Sequence, residues 1–130
     1  MHNTSCPCGS GEPYADCCGR FHTGPSQLQA PDAERLMRSR YSAFVLGLTE
    51  YLRETWHPDH RPAQIDPNPP GLQWLGLQVR RHEQQDADHA TVEFVARNKL
   101  AGRAYRHHEL SRFQRLDGRW VYLDGTFPKG

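Results

Sequence analysis

Two hydrophobic periods divide the chain. Between residues 31 and 57, Ala33, Leu36, Met37, Arg40, Phe44 and Leu48 recur at the spacing of one helical face. Pro31-Asp32 opens that pattern, and Gly47 breaks or caps it. Leu48–Trp56 then forms a second short helix that closes at His57-Pro58. Residues 58–71 hold five of the ten prolines and form a loop. Beyond that loop the period falls to two. Leu75, Leu77 and Val79 alternate, as do Val92, Phe94 and Ala96, then Ser111 and Phe113, then Val121 and Leu123. Turn signals separate these runs at Gln85-Asp86-Ala87-Asp88, Leu100-Ala101-Gly102 and Asp117-Gly118, the last a strong hairpin signal. Helices followed by four antiparallel strands predict an α+β domain with the helices packed on one face of a sheet.

The first 27 residues have neither period. They hold all four cysteines and few aliphatic side chains, so they cannot bury enough apolar surface to hold themselves together; a bound metal would supply the missing stabilisation. The boundary belongs in Gly24-Pro25-Ser26-Gln27, with a metal-binding module over 1–24 and a helix–sheet domain over 28–130. Because the apolar periodicity lies downstream, the second part is expected to fold without the first.

Composition narrows the classes. At 130 residues there is room for one ordinary domain, or a compact domain plus an appendage. The hydrophobic share is a modest 36%, yet 5 Phe, 5 Tyr and 3 Trp can still build a core. A net charge of +1 and a pI near 7.8 exclude a strongly basic nucleic-acid binder. A local basic run remains: Arg97, Lys99, Arg103, Arg106, Arg112, Arg115 and Arg119 stand against Glu109 and Asp117, leaving a nucleic-acid contact across 97–119 as a secondary expectation. No run approaches 18 apolar residues, and the N-terminus lacks a signal-peptide pattern, so a cytoplasmic protein without membrane contact is expected. In that compartment four clustered cysteines read as metal ligands or redox groups before disulfides.

Cys6-x-Cys8 and Cys17-Cys18 form two short ligand pairs separated by eight residues. Zinc is borderline-soft and takes four sulfur or nitrogen ligands in a tetrahedron, so one zinc per chain is expected; iron also accepts four thiolates and stays open beside it. Gly9, Ser10 and Gly11 lie where the chain must reverse between the pairs. His22 is a further candidate, as a substitute ligand or as a donor behind the ligands. Disulfides and a redox pair are the competing readings, but a Cys17-Cys18 bridge would be strained and neither pair is Cys-x-x-Cys. Four sulfurs leave no open coordination position, so metal-assisted hydrolysis is not expected.

Ser5-Cys6-Pro7-Cys8-Gly9-Ser10-Gly11 followed by Tyr14 and Cys17-Cys18 resembles the SEC-C motif, the zinc-binding module at the C-terminus of the SecA preprotein translocase. Three further stretches extend the resemblance over nearly the whole chain. They are Leu36-Met37-Arg38-Ser39-Arg40-Tyr41-Ser42-Ala43, Thr55-Trp56-His57-Pro58, and Gly118-Arg119-Trp120-Val121-Tyr122 with Asp124-Gly125. Together they look like the YchJ family of small bacterial proteins. That resemblance implies an NTF2-like domain, a helix-backed curved sheet around a conical cavity, behind a zinc knuckle. It also implies Cys18 in the place where SEC-C modules often carry a histidine, which makes His22 dispensable as a ligand.

Arg40 is the most informative residue outside the cysteines. It shares a helical stripe with Leu36, Met37 and Phe44, where a guanidinium without an acceptor is costly to bury. Glu109 is the preferred partner and Asp124 the second choice. Alternation puts Glu109 with Ser111 and Phe113, and Asp124 with Trp120 and Tyr122. The candidate pocket comprises Arg40, Tyr41, Trp56, His57, Glu109 and Trp120. His107-His108-Glu109 invites a metal reading, but strand alternation points its members to opposite faces and supplies no third ligand. No catalytic residue is assigned. The leading expectation is an interaction protein docking a secretion chaperone or the ribosome, a partner class that comes from the SEC-C resemblance. The rival is a small-molecule receptor or enzyme using the cavity, since fold does not determine function. An open pocket would favour the rival and a filled one the interaction reading.

Overall fold

The longest helix begins and ends where the sequence signals predict. The computed structural model describes residues 4–65 and 68–128. Helix α1 spans Gly19–His22, α2 spans Ala33–Leu46 and α3 spans Thr49–Glu54. The Asp32 side chain caps α2 by accepting from the Arg35 N–H at 2.8 Å, and Gly47 ends it in the left-handed conformation. No helix among the described residues is long and apolar enough to cross a membrane.

Four antiparallel strands follow: β1 Gln73–Asp86, β2 His89–Leu100, β3 Arg103–Leu116 and β4 Arg119–Thr126, in the spatial order β1-β2-β3-β4. Three two-residue turns join them, at the expected turn signals. Ala101-Gly102 and Asp117-Gly118 both carry positive φ at their two positions, which matches the twist of the flanking strands.

Two of the sheet's register shifts overturn the alternation that the sequence suggests near the site. A register shift between Trp74 and Gly76 turns Leu75 to solvent, where it is 54% exposed, and brings Trp74 inward instead. On the other edge Phe113 pairs with Tyr122 while Arg112 pairs with Asp124, so Leu123 is an extra residue in β4. Tyr122 therefore faces the helices, but Asp124 does not share its face. Asp124 instead forms a two-pronged ion pair with Arg112 (2.6 and 2.5 Å) on the outer surface. The seven basic residues of the 97–119 run are all exposed, with Arg115 paired to Asp88.

Helix α2 lies across the inner sheet face. Leu36, Leu52, Val92 and Phe113 are fully buried there, so the core sits between helices and sheet. The segment after α3 is sewn to β4, with the Tyr122 N–H donating to the Thr55 carbonyl (2.7 Å) and the His57 N–H to the Tyr122 carbonyl (2.8 Å). The cysteine segment is part of the same packing: Cys6, Cys8, Cys18 and Phe21 join the apolar cluster that contains Ala33, Leu36 and Met37.

Candidate metal centre and ligand cavity

A short bridge between Ser5 and Pro13 folds the cysteine segment back on itself, with the Cys6 N–H donating to the Glu12 carbonyl at 2.9 Å. Gly9 and Gly11 take positive φ in the reversal, as their lack of a Cβ permits. A 3₁₀ turn at Tyr14–Asp16 then delivers Cys17 and Cys18 opposite Cys6 and Cys8. All four sulfurs lie within 4.8 Å of one another, a grouping that could hold a metal ion, and none is in a disulfide. Thiolates about 2.3 Å from a tetrahedral ion stand roughly 3.8 Å apart. The Cys8 and Cys17 sulfurs are already at 3.7 Å. The donor set therefore fits the group that the sequence pattern implies.

The thiols compete for charge. A hydrogen bond from Cys18 is the main cause that pulls the Cys8 thiol down to about 4, while that same bond and burial push Cys18 up. Burial also raises Cys17. Only a cation among them would favour ionisation of all four. His22 is placed elsewhere. Its Nδ1 is 2.5 Å from the Tyr14 hydroxyl and its Nε2 is 2.8 Å from the Ser39 carbonyl, so both ring nitrogens are committed and it is not a ligand. The carbonyl requires Nε2–H, which leaves Nδ1 to accept from Tyr14. Burial lowers the His22 pKa more than the Ser39 bond raises it, in keeping with a neutral ring.

Three contacts fasten this segment to α2. His22 reaches Ser39, the Cys6 sulfur lies 3.5 Å from the Ser42 hydroxyl, and Arg38 donates to the Cys8 carbonyl at 3.0 Å. Arg38 is itself held by Glu34, one helical turn back, at 3.0 Å.

On the other side of α2 a cavity of about 350 Å³ remains between helix and sheet. Tyr41, Phe44, Trp74, Phe94 and Phe113 give it aromatic walls. Arg40, Tyr41, Trp56 and Glu109 line it as the sequence suggested; His57 and Trp120 do not. Trp120 is 5% exposed in the core at the far end of β4, and the His57 Nδ1 accepts from the Asp59 N–H outside the cavity.

The direct Arg40–Glu109 ion pair that the sequence suggests does not form. Arg40 Nη1 donates to the Leu52 carbonyl (2.8 Å) and to the Thr55 hydroxyl (2.7 Å), and its guanidinium faces the Tyr122 ring at 4.7 Å and the Trp56 ring at 5.2 Å. Burial lowers its pKa to about 10, so it stays charged at neutral pH. Glu109 takes three other donors. Its Oε1 accepts from His107 Nε2 at 2.8 Å, and its Oε2 accepts from the Ser111 hydroxyl at 2.5 Å and the Tyr122 hydroxyl at 2.9 Å. Burial pushes the Glu109 carboxyl up, but these bonds outweigh it and hold the group below the usual carboxylate range. Tyr122, Ser111, His107 and Trp74 were missed as cavity residues. The available signal was Glu109-x-Ser111, two polar groups on a strand face otherwise carrying Phe113.

Comparison with known proteins places both parts. The family model for "YchJ, middle NTF2-like domain" matches residues 32–125, and the SEC-C motif model matches residues 3–20. A UPF0225 protein of Bordetella parapertussis is 61% identical over 121 residues, covering 93% of this chain and 91% of its own. Another, from Methylibium petroleiphilum, is 64% identical over 120 residues, covering 92% and 86%. Among solved structures, a SEC-C motif containing protein from Rhodopseudomonas palustris superposes with a TM-score of 0.82 at 34% identity, covering 97% of this chain and 100% of that one.

Proposed function

The chain belongs to the YchJ family, with a SEC-C motif ahead of an NTF2-like domain, and from that premise we propose that it binds a small organic molecule in its sheet cavity, with a structural zinc knuckle buttressing the helix that forms the cavity's roof. The cavity carries this reading. A space of about 350 Å³ falls in the range of small-molecule sites, and its aromatic walls surround a few polar groups, as such sites do. Four thiolates suit zinc and leave it no open position, so the ion's role is to hold the chain together. Its ligand Cys6 is packed against Ser42 of α2, and His22 of the same segment against Ser39, on the helix whose other side carries Arg40 and Tyr41.

The fluorophore 1-anilinonaphthalene-8-sulfonate tests this reading. It should brighten on binding the native protein, and an Ala96→Leu change, which fills the cavity wall, should abolish that signal while the cooperative melt persists. Equal brightening with Ala96→Leu would remove the cavity from the account.

A second reading has its own observation. Beside Cys17 and Cys18 lies a polar groove lined by Glu12, Asp16, Arg20, Asp32, Glu34 and Arg35. Such a charged, open surface suits protein docking, which agrees with a partner in secretion or translation. Capture of partners that fails with Arg20→Glu, but survives Ala96→Leu, would assign docking to the groove.

A further inference from the structure

The cavity's lining contains one negative and one positive group, and they are differently occupied. Glu109 is already engaged: His107, Ser111 and Tyr122 supply three donors to its two oxygens, and the backbone at Gly125 closes over it. Arg40 is not saturated. Its hydrogen bonds all leave from Nη1, while Nη2 and Nε have no acceptor among the described residues. Its side chain lines the cavity and is only 6% exposed. A guanidinium presents its five N–H groups as a planar fork that fits a carboxylate edge-on. The Trp74 indole N–H, on the cavity wall, is likewise buried without an acceptor. The cavity thus presents a charged donor with two nitrogens not yet engaged.

We propose that the cavity's ligand is a small organic anion, a flat aromatic or unsaturated monocarboxylate, whose carboxylate meets the Nε and Nη2 of Arg40 while its body lies among Tyr41, Phe44, Trp74 and Phe94. This rests on the cavity reading above and specifies it. A cationic ligand would find Glu109 already screened and Arg40 repelling it. A neutral one would leave the Nε and Nη2 of Arg40 without a charged acceptor. The walls contribute apolar burial and ring stacking, which favour a flat body over a sugar or a nucleotide phosphate tail.

Three probes with one shared body separate these cases by calorimetric titration: 2-naphthoate, 2-naphthalenemethanol and 2-naphthylmethylammonium. Naphthoate should bind at least about tenfold more tightly than the alcohol, as charge-assisted hydrogen bonds in a buried site warrant. The ammonium should bind least. In nitrogen-15 spectra of the unmodified protein, the Arg40 Nε–H resonance should shift with naphthoate and stay in place with the alcohol. Alcohol binding as tight as naphthoate, or an ammonium that binds best, overturns the anion assignment but leaves the cavity reading intact. Loss of all three probes, with 1-anilinonaphthalene-8-sulfonate still bound by the wild type and not by Ala96→Leu, overturns the proposed body. Loss of that fluorophore too removes the cavity reading itself.

Discussion

The Tyr122 hydroxyl donates to Glu109 Oε2 at 2.9 Å while the same ring lies 4.7 Å beneath the Arg40 guanidinium. Tyr122 thus touches both charges that line the cavity. Hydrogen bonds to ionised groups contribute about 1.5–3 kcal/mol, so Tyr122→Phe should destabilise by an amount in that range. In chemical denaturation, Tyr122→Phe combined with Glu109→Gln should lose clearly less than the sum of the single changes. Arg40→Met combined with Glu109→Gln should show the smaller coupling. A larger coupling for Arg40 would mean that the two charges pair directly in solution.

Acid should unfold the protein partly through Glu109. Its folded pKa is held below the unfolded value, so the native state binds fewer protons than the unfolded state between the two. The resulting stability is present above the ordinary carboxylate pKa of about 4.3 and is lost as pH falls through the folded value. Glu109→Gln should flatten this acid limb of a stability–pH curve. An unchanged slope between about pH 5 and 3 would show that other carboxylates set it.

Gly125 is needed for its missing side chain. A Cβ there would collide with the Glu109 carboxylate, which packs directly over the strand. Gly125→Ala should therefore displace Glu109 and cost about 1–3 kcal/mol, the usual range for overpacking. Gly125→Ala in a Glu109→Ala background should recover much of that loss. No recovery would place the collision elsewhere.

The knuckle should carry about one zinc per chain by elemental analysis, and Cys17→Ser should reduce that content. Chelation should lower the melting temperature, because Cys6, Cys8 and Cys18 are core residues of the whole molecule. Removing residues 1–24 uncovers Ser39, Ser42 and the Tyr51 ring, against which His22 packs at 4.6 Å. The shortened protein should keep its sheet signal by circular dichroism but unfold at lower denaturant. An unchanged midpoint would make the knuckle an independent appendage, as the distribution of apolar residues suggests.

What the sequence determined by itself was set over short distances along the chain. The helical stripe from Ala33 to Phe44, the stop at Gly47 and the three strand turns each depend on dihedral preferences and period within a few residues, and the structure has them there. The four-cysteine cluster was legible for the same reason, since all four cysteines come from 13 consecutive positions. Tertiary structure alone decided the cavity. Strand parity assigns Asp124 to the face of Tyr122, but the extra Leu123 reverses it, and such a bulge is set by how β3 and β4 meet across the core. Likewise a buried Arg40 must find acceptors, yet which ones depends on the end of α3 being sewn to β4, which puts Thr55 and Leu52 nearer than Glu109. Burial cost is a property of a residue type, whereas the identity of its partner is a property of residues up to 82 positions apart, as between Arg40 and Tyr122 (122 − 40).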